Sequence, residues 1–508
     1  MTSPLLLDER FERAARAHGP RTAVVAGDGE RRTYAELLAE AEAVAGWLAA
    51  HGIGRGDRVG LVQPKDCRAV AALLGVLRAG AAYVPIDPIS PAERARTILA
   101  DCEVAATIVA PDLGELAPTS CAGHRLLASD DEWHALVQRA APPPDRAGRE
   151  ADDLAYLLYT SGSTGVPKGV MLSHANARSF LDWAAAAFRP SPDDRFSSHA
   201  PFHFDLSVFD LYASLGSGAE LHLIDADLGK NPRALGAFVE ERRLTVWYST
   251  PSVLLVLSAF GGLERRDSGA LRAVLFAGEV FPIKHLRTLT ERLPRAEFHN
   301  LYGPTETNVC TAARVPLPIP AERAEAFPIG TPCAGYEACL LDAPGGAEVP
   351  AGAEGLLHVA GPGLFLGYWK RDGETEARVF EREGRRWYDT GDVAREVPGE
   401  GYVYVGRRDR MVKRRGHRVE LGEVESGLYK HPRIREAAVV ALADDEAGLV
   451  LRAHLVPEAG RPLSILELKT FCASVLPASM VPDRFVFEER LPRTSTDKID
   501  YQTLRQKT

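Results

Sequence analysis

The segment Tyr159-Thr-Ser-Gly-Ser-Thr-Gly-Val-Pro-Lys-Gly169 has the residue types of an oxyanion cradle. Four hydroxyls (Thr160, Ser161, Ser163, Thr164) and three glycines (Gly162, Gly165, Gly169) surround one lysine, Lys168. Backbone N–H groups and hydroxyls in such a loop can converge on phosphate oxygens while the ammonium supplies charge. Only ten of the 60 basic residues are lysines, so one inside a motif stands out. The segment is not the P-loop of kinases and GTPases: Pro167 replaces the glycine before the lysine, and Gly169 the Ser or Thr that would hold Mg²⁺. It is not a nucleophile elbow either, lacking Gly-x-Ser-x-Gly. A flexible Ser/Gly linker is the plain alternative. Against it, the segment follows the apolar stretch Leu154 to Tyr159 and precedes a helix that Ser173 can cap.

Further motifs flank it: Leu73 to Asp87 upstream, then Asn300-Leu-Tyr-Gly-Pro-Thr-Glu306, Tyr388-Asp-Thr-Gly-Asp392, Gly406 to Gly416 and Thr496-Asp-Lys-Ile-Asp500. In this order the set resembles the adenylate-forming enzymes: acyl-CoA synthetases, firefly luciferase and the adenylation domains of nonribosomal peptide synthetases. The resemblance covers essentially the whole chain. It implies ATP and Mg²⁺, with Thr160, Ser161, Gly162, Ser163, Thr164, Gly165 and Lys168 around the phosphates. It puts Tyr302 against the adenine, with Asn300, Gly278 and Glu279 at its edge and Gly303 in the same turn. An aromatic ring gives a base a flat apolar partner. Thr305 would touch the α-phosphate and Glu306 hold Mg²⁺, which prefers hard carboxylate and phosphate oxygens. Asp392 would accept the ribose hydroxyls, supported by Arg407. Taken alone, Asp392 reads equally well as a turn residue.

In the chemistry so implied, a carboxylate attacks the α-phosphorus of ATP. Two anions must meet, so fixed cations and donors matter more than an acid or base. Lys498 is the expected catalytic cation, bridging the carboxylate and the α-phosphate from a mobile C-terminal domain that turns about Asp409. In the family this rotation removes the lysine and admits a pantetheine thiol, and the basic run 413–418 falls just past the hinge. Arg410, where many relatives have an acid, and Leu356-Leu357, in place of Glu-Leu, depart from the family pattern.

Phe202-His-Phe-Asp205-Leu-Ser-Val-Phe209 resembles the amino-acid-activating branch, in which the aspartate pairs with the substrate ammonium. A charged carboxylate buried without such a partner would cost several kcal/mol. The alternative makes Asp205 an N-cap for the segment Leu206 to Leu211. By resemblance the pocket comprises Asp205, Leu206, Phe209, Tyr248, Leu275, Ala277, Leu301, Val309, Cys310 and Lys498. This lining suits a small uncharged side chain: proline first, then alanine, serine, glycine or 2-aminobutyrate. It is most similar to stand-alone enzymes that load proline onto a separate carrier protein, and no carrier motif follows Lys498. A CoA ligase for a small carboxylic acid is the alternative.

These groups need a scaffold. The chain has 508 residues, 45% apolar and 25% charged, with 45 Gly and 35 Pro spread along it, as in ordinary globular proteins of more than one domain. A net charge of -9 argues against nucleic acid as partner. The longest uncharged apolar run, Ala69 to Leu77, is too short to cross a membrane, and no secretory leader is evident, so a cytoplasmic enzyme is expected. Seven scattered cysteines imply free thiols and no structural metal. Apolar stretches at 58–62, 105–109, 154–159, 221–224, 244–248, 271–276 and 297–302 alternate with helical patterns, such as 175–188 with Ala177, Phe180, Leu181, Ala184 and Phe188 on one face. The alternation predicts a large layered α/β N-terminal body, residues 1–408, with largely parallel sheets and a small β-rich subdomain from about 335. A small α+β domain, 409–508, follows, with strands at 437–442 and 449–456. Its helix opens on the capping box Ser464-Ile-Leu-Glu467. The Pro-rich stretch 141–145 reads as a surface loop.

Overall fold

The computed structural model describes residues 6–117, 123–160, 167–408, 410–444, 448–458, 463–493 and 499–506. Ser161, Gly162, Ser163, Thr164, Gly165, Asp409, Lys498 and Cys121 lie outside the described residues.

Two sheets make the body. One runs, edge to edge, through Arg31–Thr33, Thr22–Val25, Glu220–Leu223, Arg195–Ser198, Val246–Ser249, Ala273–Ala277, Glu297–Tyr302, Thr311–Arg314 and Thr331–Pro332. The other runs through His124–Leu127, Ala106–Val109, Arg58–Val62, Ala82–Pro85, Leu154–Thr160, Lys168–Ser173 and Gly367–Tyr368. Their central strands are parallel; both edges of the first sheet and the Gly367–Tyr368 edge of the second are antiparallel, while His124–Leu127 pairs parallel at the second sheet's other edge. Ala273–Ala277 is buried throughout. Helices cover a parallel strand on both faces, so its residues read as one apolar run rather than an alternation.

The helix His174–Phe188 buries the predicted face, Ala177, Phe180, Leu181, Ala184 and Phe188. The Ser173 Oγ accepts from the Asn176 N–H at 3.2 Å, and the Asn176 Oδ1 accepts from the Ser173 N–H at 2.9 Å. A strand stands between the phosphate segment and this helix. Lys168–Ser173 returns antiparallel to Leu154–Thr160 with Lys168 opposite Thr160, so the segment bridges a β-hairpin and does not lead directly into the helix. Gly-Val-Met-Leu after Lys168 supplies the apolar strand residues that the loop reading passed over.

Beyond the body, the strands Glu337–Leu341, Glu354–Ala360, Val379–Arg382, Arg385–Val397 and Gly401–Arg407 form an antiparallel sheet. The hairpin Met411–Arg414/His417–Glu420 comes next. Then Ile434–Asp444, Gly448–Pro457 and Arg484–Phe487 form a sheet with its own core around Val424, Leu451 and Leu468. Ser464 caps Ile465–Val475, accepting from the Glu467 N–H at 3.1 Å. The reciprocal half of the box is absent because the Glu467 carboxylate is taken by Arg433. Residues 141–145 form a loop, as read.

Among the described residues no helix is long and apolar enough to cross a membrane. The described cysteines are free, and all but Cys339 are buried. Burial pushes the thiols up, to about 12 at Cys67, Cys102 and Cys310 and about 11 at Cys339 and Cys472.

Candidate active site

Glu297–Tyr302 ends in a turn that starts at Gly303. A Cβ at Gly303 would lie 1.5 Å from the Asn308 carbonyl oxygen, so only glycine lets residues 303–308 fold back this tightly. The turn presents Thr305 and Glu306. The Thr305 hydroxyl donates to the Asp205 Oδ2 at 2.6 Å. Asp205 does not cap a helix. The next helix starts at Ser207 with Leu206 at its N-cap and no side-chain cap bond. Burial pushes the Asp205 carboxyl up, offset in part by the Thr305 hydrogen bond and the Lys413 ammonium.

Glu306 is fully buried. Its Oε1 accepts from the Tyr368 hydroxyl at 2.6 Å and from the Arg418 Nη1 at 2.9 Å, and its Oε2 has no hydrogen-bond partner among the described residues. Burial alone would raise this carboxyl, but Arg418 and Lys168 hold it down to about 2. A buried, ionised carboxylate with one oxygen unsatisfied is a hard-oxygen donor of the kind Mg²⁺ takes, so the residues fit that ion. Lys168 is also buried, its Nζ 4.0 Å from the Tyr368 ring centroid and 3.8 Å from the Glu374 carboxylate. Burial lowers the Lys168 ammonium, as does Arg418 nearby. Across the hairpin the buried Thr160 Oγ1 has no hydrogen bond among the described residues. An ammonium and a free hydroxyl at the mouth of the phosphate segment suit an incoming oxyanion.

Tyr302, Asn300, Gly278, Glu279 and Arg407 line a cavity of about 780 Å³ between the body and the C-terminal elements. The Asn300 Nδ2 donates to the Pro328 carbonyl at 2.8 Å, leaving its oxygen as the atom for a ligand's N–H. Asp392 does not reach the cavity wall. It is buried behind Tyr302 and Arg407, which donate to its two oxygens. Each oxygen keeps a second lone pair.

A second cavity, about 50 Å³, adjoins the first. Asp205, Leu206, Tyr248, Ala277 and Val309 line it, joined by Thr305. The other predicted pocket residues stand behind this wall. Phe209 packs edge-on against Tyr248 at 5.5 Å, Leu275 is enclosed beside Tyr248 in the sheet, and the Cys310 Sγ donates to the Tyr302 carbonyl at 3.5 Å. Leu301 lines the larger cavity instead.

Sequence reasoning did not single out Phe204, Asn308, Tyr368, Lys413, Gly416 or Arg418 as site residues. The basic run was the one signal for the last three. The hairpin that carries them sits against the body. Gly416 N–H donates to the Glu279 Oε1 at 2.8 Å, Lys413 Nζ lies 5.4 Å from the Tyr302 ring centroid, and Arg418 pairs with Glu306. Arg410 turns the other way, making two bonds to the Glu425 carboxylate and stacking on the Tyr501 ring.

The AMP-binding enzyme family model matches residues 11–369, and that of the AMP-binding enzyme C-terminal domain matches residues 423–498. The chain belongs to the AMP-binding enzyme family. It is 40% identical over 501 residues to an L-proline--[L-prolyl-carrier protein] ligase of Pseudomonas fluorescens, covering 97% of this chain and 98% of that protein. It is also 40% identical to a ligase of the same name from Streptomyces coelicolor, with 96% and 94% covered. The amide bond synthetase McbA of Marinactinospora thermotolerans shares the fold, with a TM-score of 0.87 over 99% of both chains at 24% identity.

Proposed function

We propose that the chain is an ATP-dependent ligase that activates a small neutral amino acid, L-proline before others, as its adenylate and passes it to the phosphopantetheine thiol of a carrier protein. The observation that carries this reading is Asp205: a carboxylate on the wall of a small, largely apolar cavity, braced by Thr305 and one step from Glu306. A zwitterionic amino acid supplies the ammonium such a group needs. The two proline ligases that align over nearly their full length support proline and the carrier.

In this reading ATP lies in the larger cavity with its adenine on Tyr302 and the Asn300 oxygen accepting from the base. Arg407 faces the ribose side, held from behind by Asp392, and Lys168 with Thr160 the phosphates. Glu306 would hold Mg²⁺, which supplies charge neutralisation for the phosphates when bound. Lys498, assigned by resemblance, bridges the amino-acid carboxylate and the α-phosphate. The carboxylate oxygen bonds to the α-phosphorus as pyrophosphate leaves. The seated hairpin, with Arg418 on Glu306, keeps a cation beside that carboxylate, and we assign this arrangement to thiol transfer.

Amino-acid-dependent pyrophosphate exchange tests the proposal. Proline is expected to support faster exchange than alanine, serine or glycine, and acetate or benzoate to support none. Faster exchange with either plain acid would overturn the role of Asp205 and point to a CoA ligase.

A further inference from the structure

The hairpin that seats on the body is held at its tip by the Gly416 N–H on Glu279 and along its return strand by Arg418 on Glu306. Its base runs straight into a helix: His417–Glu420 ends where Leu421–Tyr429 begins. That helix buries Leu421, Val424 and Leu428 in the C-terminal core, so hairpin and helix form one packed piece. The helix also brings Glu423 to the body, where Arg94, on the helix Ala92–Asp101, donates to the Glu423 Oε1. The two side chains, Arg94 and Glu423, are only 15% and 4% exposed. Beside them Lys430 lies 3.8 Å from Glu93 and joins the same two segments, but both of its side chains are largely exposed, and such surface pairs add little. Removing one partner of an enclosed pair is different, because it leaves a charge with neither water nor counter-charge. For Arg94 and Glu423 that penalty applies only while the two surfaces are together; once they part, each charge regains its water. The outer pair adds register. Residues 93 and 94 are acidic then basic, and Glu423 and Lys430, about two helical turns apart, meet each with the opposite sign.

We propose that Arg94 and Glu423 are positioning residues: an ion pair between the body and the C-terminal elements that sets how much of the enzyme holds its hairpin seated, and so divides its time between the two half-reactions. The bearing on catalysis rests on the functional reading above, in which the seated arrangement serves thiol transfer and activation takes place with the C-terminal elements turned away. Neither residue lines either cavity, so the pair reaches the chemistry through the hairpin, fixing where Lys413, Gly416 and Arg418 stand around the small cavity. The tip contact on Glu279 and the Arg94 contact at the base hold the hairpin at two ends, which a single contact could not orient.

Crosslinking reads the seated fraction without any substrate. Glu93→Cys with Lys430→Cys replaces the outer pair by two exposed thiols, which a short bismaleimide joins when the surfaces meet. In the full-length chain, adding Arg94→Met or Glu423→Gln is expected to slow this crosslink at least about threefold, and adding both to slow it no more than the slower single, because the second partner has already lost its counter-charge. Arg94→Lys keeps the charge and is expected to recover most of the rate. Proline-dependent pyrophosphate exchange by Arg94→Met and Glu423→Gln, with residues 93 and 430 unchanged, is expected to stay within about twofold of wild type, whereas exchange by the crosslinked enzyme falls at least about tenfold. Unchanged crosslinking in both single variants would overturn the proposal, as would additive losses in the double variant or a lowered Tm with the crosslinking rate intact. Exchange that falls in step with crosslinking, or that survives in the crosslinked enzyme, would overturn the division between half-reactions. If one single variant does not fold, the other decides. A wild-type enzyme that exchanges no amino acid would overturn the functional reading, and the crosslinking rates would still decide whether the pair holds the hairpin seated.

Discussion

At the scale of single residues, the site is a set of buried charges whose costs are met by one another. Asp205 is braced by a neutral hydroxyl, and the Lys413 ammonium offsets its burial only in part, so its negative charge calls for a cation from the substrate. Asp205→Asn is expected to raise the amino-acid KM in pyrophosphate exchange by at least about 100-fold, the usual consequence of removing one partner of a buried pair. Glu306→Gln keeps the shape and the Tyr368 contact but removes the charge. Its kcat for exchange is expected to fall about 100-fold or more, and excess Mg²⁺ should not restore it. Lys168 was legible in the sequence because it sits in a short motif of unusual composition, and Thr305, Glu306 and Asp205 through the family resemblance that their motifs carry. Tyr368 was not. It meets Glu306 across 62 residues of sequence, and an aromatic residue in Gly-Tyr-Trp carries no local mark of that partner. Phe209, Leu275 and Cys310, pocket residues by resemblance, stand behind the described lining, Phe209 edge-on against Tyr248 and Cys310 against the Tyr302 carbonyl.

At the scale of elements, the hairpin from Met411 to Glu420 is the decisive piece. Gly416 at its tip has φ +81°, and a Cβ there would come within 2.4 Å of the Thr250 methyl. Gly416→Ala therefore meets both a strained backbone and a clash when the hairpin is seated, and only the strain when it is not. Transfer of the amino acid to the carrier is expected to fall more than about tenfold, while pyrophosphate exchange stays within about twofold. Equal loss of both would show that the seated hairpin also serves activation. Periodicity found the strands and the helix His174–Phe188 because each has a continuous apolar face. The return strand Lys168–Ser173 escaped because a glycine-rich run beside it dominated the local signal. The Glu467 half of the capping box was misread because Arg433, distant in sequence, offers that carboxylate a full charge.

At the scale of the whole molecule, body and C-terminal elements meet through ion pairs as well as through the hairpin. Arg94 pairs with the buried Glu423, and Lys430 lies 3.8 Å from Glu93. Neither pair could be read from the sequence, since charges of both signs occur throughout it. Acid sensitivity also belongs to this scale. Burial lowers His174 and His417 to about 4 and His199 to about 3, against an ordinary value of 6.5. Between these values the unfolded chain takes up protons that the folded one excludes. The stability these histidines permit is complete above pH 6.5 and is lost as pH falls toward 4. Tm is expected to drop steadily from pH 7 to pH 5. Because the neutral His174 Nδ1 accepts from the Leu7 N–H, His174→Gln should flatten part of that slope.

The buried, strongly protonated cysteines have a practical reach of their own. A maleimide or disulfide reagent at neutral pH needs an accessible thiolate, and the thiols at Cys67, Cys102, Cys310 and Cys472 offer neither access nor ionisation. In a mixture with a pantetheine-bearing carrier, the carrier's mobile sulfhydryl should be the group that such a reagent labels first. Loading could then be followed in real time as the disappearance of a free sulfhydryl, with little background from the enzyme's interior.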